Sequence, residues 1–347
     1  MNRKEITLLT DYQGRFGSKH NDQPYRSGMD RQKLEKYFYK WGWKTRFTQF
    51  SAVDFVNANH RGRVFLYTSS EDKGYRYKQY IEDIVYGLEL AGGLMIPPFK
   101  YLRANNNKVM MEILRDTVPA LGMNDLRSWK FGTLEELVAA TKNLPFPCVL
   151  KSAAGASGKG VALAGNPREL IRKARRISRT RNLEFEARDR GRALKHHGYW
   201  RESLYREKFI VQEFIPDLRN DWKVYVFGEK LYVFFRPILK GRGIKASGGG
   251  YGNYFYGKEA KTPEGLFDFA WSVFASLNIP HASLDIAFDG KNFYLLEFQA
   301  LYFGTAGILN SEHYFLKENG VWQPRINSRD IEQVYVESIA QFLNHGD

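Results

Sequence analysis

The chain has 347 residues, 43% of them hydrophobic and 26% charged, with a formal net charge of +14. That length exceeds one ordinary core and fits two or three lobes, and the composition excludes a chain that stays disordered. A single cysteine, Cys148, excludes an intramolecular disulfide and lies in an apolar run as a small core residue. No apolar run approaches a membrane span and no signal-like start opens the chain, so the expectation is a cytoplasmic protein.

The first hundred residues alternate strand and helix. ITLLT is a strand, followed by a polar, glycine-containing loop to Gly28; a helix fits Leu34, Tyr37, Phe38 and Trp41 at i, i+3, i+4, i+7; KTRFTQF and RVFLYTS are strands. A second helix carries Ile81, Ile84, Val85 and Leu88, and LMIPPF is a short strand closed by Pro97 and Pro98. This pattern predicts an α/β lobe over residues 1–104 with a small, mostly parallel sheet. Ligands of such sheets lie beyond the carboxyl ends of the strands. The loops after Thr10 and Thr68 are therefore candidate substrate walls, with Arg15, Lys19, Arg26 and Lys78 as candidate anion partners; each also reads as an ordinary solvated loop residue.

From Asn105 the pattern changes. A helix carries Val109, Met110, Ile113 and Leu114, and another starts at the capping box Thr133 to Glu136. Strand PCVLKS, the loop AAGASGKG and strand VALA follow. Small residues let backbone N–H groups approach phosphate, and Lys151 and Lys159 add positive charge. The loop is not a Walker A motif, because Ala153 and Gly160 stand where that motif needs glycine and a hydroxyl residue. Asn166 and Pro167 open a basic helical segment, with 14 Lys or Arg against 6 acids between Arg168 and Lys208. It reads as a solvated helical excursion or as a surface for an anionic partner; its aromatic residues are too scattered for a single-strand groove, which argues against nucleic acid. Adjacent His196 and His197 read as surface residues of this insert.

Strands KFIVQEF, WKVYVFG and KLYVFFRP lead to Arg236, and the glycine-rich, basic loop from Lys240 to Asn253 suits a lid. A helix opened by Thr262 and Pro263 precedes two runs, SLDIAF and NFYLLEF. With a three-residue loop of Gly290, Lys291 and Asn292, Asp285 falls opposite Glu297, and Gln299 joins them on the same face. Two acids and an amide oxygen suit Mg²⁺, while an isolated acid pair also reads as a solvated face. Ser328 is the expected cap of the last helix.

Taken in order, Lys108, Lys151 with its glycine loop, Gln212 with Glu213, Lys223, Arg236 and the set Asp285, Glu297 and Gln299 resemble the ATP-grasp superfamily. Within it the chain looks closest to ligases of the ribosomal-protein glutamate ligase and D-alanine:D-alanine ligase type, over roughly Asn105 to Gly307. The resemblance implies an α/β lobe at 1–104, then an α+β ATP-grasp domain with a small lobe at 105–208 and a large, metal-holding lobe at 209–347. It implies that Lys108 and Lys151 contact the phosphates of ATP and that Ser157, Gly158, Lys159 and Gly160 close over them. Gln212, Glu213, Phe214 and Ile215 match the linker that holds adenine, Asp221 an acid for the ribose and Lys223 the basic residue after it. Arg236 matches the arginine that steadies the transferred group, and Asp285, Glu297 and Gln299 match the ligands of Mg²⁺ or Mn²⁺. Relatives carry Asn where Gln299 stands, then a small residue and proline where this chain has Ala300 and Leu301. The implied activity is an ATP-dependent carboxylate–amine ligase acting on small molecules, with Lys151 and Arg236 as catalytic residues and a homodimer as a common state. A phosphotransferase on the same scaffold and a nucleotide- or anion-binding protein without turnover are the alternatives.

Overall fold

The computed structural model describes all residues except 1–3, 18–27, 119–124, 156–159, 238–253, 302 and 345–347. The phosphate-loop residues Ser157, Gly158 and Lys159, the candidate anion partners Lys19 and Arg26, and the expected lid therefore lie outside the described residues. No described helix is long and apolar enough to cross a membrane.

The elements in chain order begin with β1 (Lys4–Thr10), α1 (Arg31–Lys40), β2 (Trp43–Gln49), β3 (Val64–Leu66), α2 (Arg76–Leu90), β4 (Leu94–Ile96) and α3 (Phe99–Ala104). These strands form one parallel sheet in the order β2-β1-β3-β4. Next come α4 (Lys108–Thr117), β5 (Ser128–Phe131), α5 (Leu134–Ala140), β6 (Cys148–Ser152), β7 (Val161–Ala164), α6 (Pro167–Ile177), α7 (Leu183–Lys195) and β8 (Phe209–Glu213). Here the sheet is antiparallel, β5-β8-β6-β7. The rest comprises β9 (Asn220–Phe227), β10 (Lys230–Pro237), β11 (Phe255–Tyr256), α8 (Leu266–Leu277), β12 (His281–Phe288), β13 (Phe293–Gln299), α9 (Ala306–Asn310), β14 (His313–Glu318), β15 (Val321–Ile326) and α10 (Ile331–Asn344). Their sheet runs β13-β12-β9-β10-β14-β15, with β11 paired to β10.

The cores follow from period-2 strands and amphipathic helices. One face of the large sheet, with Val224, Val233 and Leu284, packs on α8 and on Met111 and Leu114 of α4. Its other face contributes Tyr225, Phe227 and Tyr232 to a core that also holds Ile6, Leu8, Leu34 and Phe38 of the parallel sheet and Val334, Tyr335 and Ile339 of α10. The first and last helices are tied together outside this core: Asp330 accepts from the Tyr37 hydroxyl at 2.9 Å and pairs with Lys33 at 3.1 Å, and the Asp30 N–H donates to Glu332 at 2.8 Å. The small antiparallel sheet has its own core, built on Leu137, Leu150, Phe209 and Val211. Cys148 is buried in it, and burial pushes its thiol up to about 11.

Several sequence expectations change in detail. The last helix is capped by Asp330, which accepts from the Gln333 N–H at 3.0 Å, rather than by Ser328. The helix expected from Thr262 begins at Leu266, after Gly265 in the left-handed region. The turn between β9 and β10, expected from the sequence over Gly228, Glu229 and Lys230, has two residues, since Lys230 already pairs with Phe227. Of the expected inward face of α4, Leu114 is buried and Met110 packs against the core, but Ile113 is 40% exposed, and Lys108, Met111, Glu112 and Arg115 are buried as well.

Candidate active site between two sheets

Side chains at one end of the large sheet's β9, β10, β12 and β13 are polar, and those further along the same face are aromatic. Asp285 on β12 stands opposite Lys223 on β9 and opposite Glu297 on β13. The pair arises differently from the expected three-residue loop. Phe288 pairs with Phe293, so the loop has four residues, Asp289 to Asn292, and a bulge beside Asp285 restores the register by skipping Leu296. Period-2 geometry then puts Gln299 on the same face as Glu297, and its amide lies 3.4 Å from the Glu297 carboxylate.

Every carboxylate here has a cation. Lys223 Nζ lies 2.5 Å from Asp285 Oδ1, and Arg236 reaches Asp285 Oδ2 at 3.0 Å. Arg236 also donates two bonds, 2.7 and 2.9 Å, to Asp221, which is fully buried. Burial would raise the Asp285 carboxyl, but Arg236 and Lys223 overcome it and hold the group well below the usual carboxylate range. Lys108, the first residue of α4, lies 3.4 Å from Glu297 and 3.2 Å from the Gly155 carbonyl, joining the large sheet to the glycine loop.

On the small sheet, Lys151 donates to Gln212 Oε1 at 2.6 Å. Burial lowers its ammonium to about 8, against the opposing pull of Glu112 and Glu297. Gly160 closes the described end of the glycine loop at φ +80°, and a Cβ there would stand 2.1 Å from Ser152 Oγ, so the close return of the chain depends on glycine. Of the expected adenine linker, Gln212 is buried, Glu213 is bonded to Arg127 at 2.7 Å, Phe214 is half-buried and Ile215 packs with Leu126 and Ala287. Asp221, expected at the ribose, instead has both carboxylate oxygens on Arg236.

The donor set fits a hard divalent cation. Among the described residues no three His, Cys, Asp or Glu side chains stand close enough to hold an ion by themselves. Asp285, Glu297 and the Gln299 amide oxygen nevertheless offer oxygen donors from adjacent strands, and magnesium commonly takes one or two carboxylates with phosphate oxygens completing its shell. Lys108, Lys223 and Arg236 are already matched by Glu297, Asp285 and Asp221, so phosphate arriving here brings charge that a cation at these donors would offset.

Solved structures resemble the chain in fold over nearly all of its length. A RiPP-associated ATP-grasp ligase of Chryseobacterium gregarium, in complex with ADP and a leader and core peptide, is similar with a TM-score of 0.54 at 11% identity, over 99% of this chain and 97% of that one. The chain has the ATP-grasp fold. A D-cycloserine synthetase is similar with a TM-score of 0.52 at 12% identity, over 98% of this chain and 99% of that one. An N5-carboxyaminoimidazole synthetase of Staphylococcus aureus complexed with ADP gives 0.52 at 9%, over 98% and 77%. No protein-family profile and no curated protein sequence matches the chain, so the likeness is one of fold. In the ATP-grasp fold of this chain, Lys108, Lys151, Gln212, Lys223, Arg236, Asp285, Glu297 and Gln299 gather between the two antiparallel sheets. Sequence reasoning missed Glu112 and Arg115, which lie buried beside Gln212 and the β13 bulge; their i+4 and i+7 spacing from Lys108 was the available signal.

Proposed function

We propose that the protein is an ATP-dependent ligase that joins a carboxylate to an amine or similar nucleophile, releasing ADP and phosphate. One observation carries the reading: Asp285 and Glu297 oppose each other beside Gln299, each engaged by a cation, with Lys108 linking them to the glycine loop. Asp285, Glu297 and Gln299 hold Mg²⁺ or Mn²⁺, which when bound supplies positive charge to the phosphate oxygens. Lys108 and Lys151 hold the phosphates of ATP, aided by the loop from Ser157 to Gly160. Gln212, Glu213, Phe214 and Ile215 form the nucleotide's base-side wall. Lys223 stands beside the phosphate path, and Asp221 fixes Arg236 in place rather than meeting ribose. In the first step a substrate carboxylate oxygen bonds to the γ-phosphorus as the bond to the ADP oxygen breaks, and Arg236 and Lys151 bear the charge that builds there. The nucleophile then bonds to the acyl carbon, the carbon–oxygen bond to phosphate breaks and the nucleophile's proton is released. No side-chain nucleophile is needed, in keeping with a buried Cys148 whose thiol is raised.

The division into lobes at 104 and 208 belongs to the same reading. An anionic acceptor fits the junction of the parallel sheet with the glycine loop. There Lys78 and Arg103 both engage Glu82, and burial together with those two cations lowers the Lys208 ammonium. The test is a screen of amino acids and uronic acids, alone and in pairs, with Mg²⁺ and ATP. ADP and phosphate are expected only when carboxylate and amine are both present, with an amide product in the mass spectrum. A phosphorylated acceptor without free phosphate makes the protein a phosphotransferase, and nucleotide binding without ADP across the screen removes turnover altogether.

A further inference from the structure

Two side chains that α4 turns inward, Glu112 and Arg115, are 0% and 1% exposed and join the two antiparallel sheets. Arg115 donates to the carbonyls of Leu295 and Leu296, the latter at 3.2 Å, and its Nε lies 3.1 Å from Glu112. Glu112 in turn accepts from Ser128 Oγ at 2.7 Å on β5 and lies 3.5 Å from the Gln212 amide on β8, whose oxygen accepts from Lys151. The two carbonyls belong to the bulge in β13 that sets Glu297 opposite Asp285.

The chemistry of each link gives the chain of contacts a purpose. A bulge takes backbone groups out of the ladder, and a buried carbonyl without a donor is costly. A planar guanidinium can serve two successive carbonyls at once, which an ammonium cannot do with the same geometry. A register slip of one residue at this point would turn Glu297 to the other face of the sheet and leave an apolar side chain opposite Asp285. We propose that Arg115, held by Glu112, is a positioning residue that keeps Glu297 opposite Asp285 and, through Gln212, keeps Lys151 in the same frame. The proposal rests on the ligase reading in one respect, that Asp285, Glu297 and Gln299 hold the divalent cation.

The test is Mn²⁺ affinity, read by electron paramagnetic resonance with ADP present and no turnover, on the parent and on Arg115→Met, Arg115→Lys and Glu112→Gln, well below their unfolding temperatures. Outer contacts of this kind typically carry 10- to 100-fold in metal affinity, so Arg115→Met is expected to bind Mn²⁺ roughly tenfold or more weakly. Arg115→Lys, able to serve one carbonyl, should recover part of that loss. Backbone amide exchange at Leu296 and Glu297 should quicken in the same order without any metal. If Arg115→Met does not fold, Arg115→Lys and Glu112→Gln carry the comparison. Variants that melt earlier yet bind Mn²⁺ as the parent does would make Arg115 a support for the helix only, and the proposal would be wrong while the metal site stood. A parent that binds no Mn²⁺ with ADP overturns the metal reading and this proposal together.

Discussion

Between Arg168 and Lys208 the protein carries 14 cations, many of them in solvent: the side chains of Arg172 and Arg188 are 73% and 70% exposed, and their acid partners lie one helical turn away. In the cluster at one end of the large sheet three cations, Lys108, Lys223 and Arg236, meet three carboxylates, and there Arg236 is 7% exposed and Asp221 0%. Exposed pairs contribute little, whereas breaking a buried pair leaves an uncompensated charge. The region richest in charge is thus not the one where charge decides structure or chemistry. The insert has two exceptions, both buried: Glu186, which Arg179 meets at 2.7 Å, and Asp189, which accepts from Tyr199 at 2.9 Å and Arg201 at 3.0 Å and holds the insert's own turn.

The contrast can be broken by substitution. Asp221→Ala takes two of the buried Arg236 guanidinium's bonds and leaves it only the contact with Asp285, so stability should fall by about 3 to 5 kcal/mol in chemical denaturation; a loss below about 1 kcal/mol would show that Asp285 or water is enough for Arg236. Glu297→Ala should leave the fold intact and reduce Mg²⁺-dependent turnover by at least ~100-fold, because the cation's charge is worth several kcal/mol in phosphoryl transfer. Turnover like the parent's would take the hairpin out of the mechanism.

Lys151 gives a pH signature. Burial lowers its ammonium to about 8, so the charge that meets phosphate is present below that pH and lost above it. ATP binding to the free protein should weaken roughly tenfold between pH 7 and pH 9, and Lys151→Arg should flatten the profile. The linkage to folding runs the other way: between pH about 8 and 10.5 the unfolded chain holds this proton and the folded one does not, so this group adds stability as pH rises through that window. The smallest effect belongs to the insert. Arg190→Gln, Arg192→Gln and Lys195→Gln together should change stability by no more than about 0.5 kcal/mol and leave turnover within about twofold. A larger loss of turnover would give the basic surface a part in substrate capture.

Periodicity made most of the first sheet and both strands of the acidic hairpin readable, because half-buried strands and amphipathic helices print their inward face as apolar residues. Opposition of Asp285 and Glu297 was also readable, although the longer loop and the bulge that produce it were not: two one-residue differences cancel, and side-chain alternation reports only their sum. The charged part of α4's inward face stayed hidden because Glu112 and Arg115 look like a solvated stripe unless their partners on other strands are known. The hairpin of β14 and β15 went unread despite Asn319 and Gly320 at its turn, a strong two-residue hairpin signal between runs that contain charges and Pro324.

The shared core of the parallel and large sheets has a mechanical consequence. With Leu8 and Phe38 packed in one cluster with Tyr225 and Tyr335, and the outer helices bonded through Asp330, the first and third sheets make a single base. The small antiparallel sheet keeps a separate core and meets that base through α4 and through the packing of Leu126 and Ile215 on Ala287. Any opening that spares these cores swings the small sheet alone, as one jaw on a fixed anvil, with α4 and the Ile215 contact as its pins. The carboxyl ends of β1 and β3 and the Asp285 hairpin would then stay in mutual alignment, and only the distance of the small sheet from them would change.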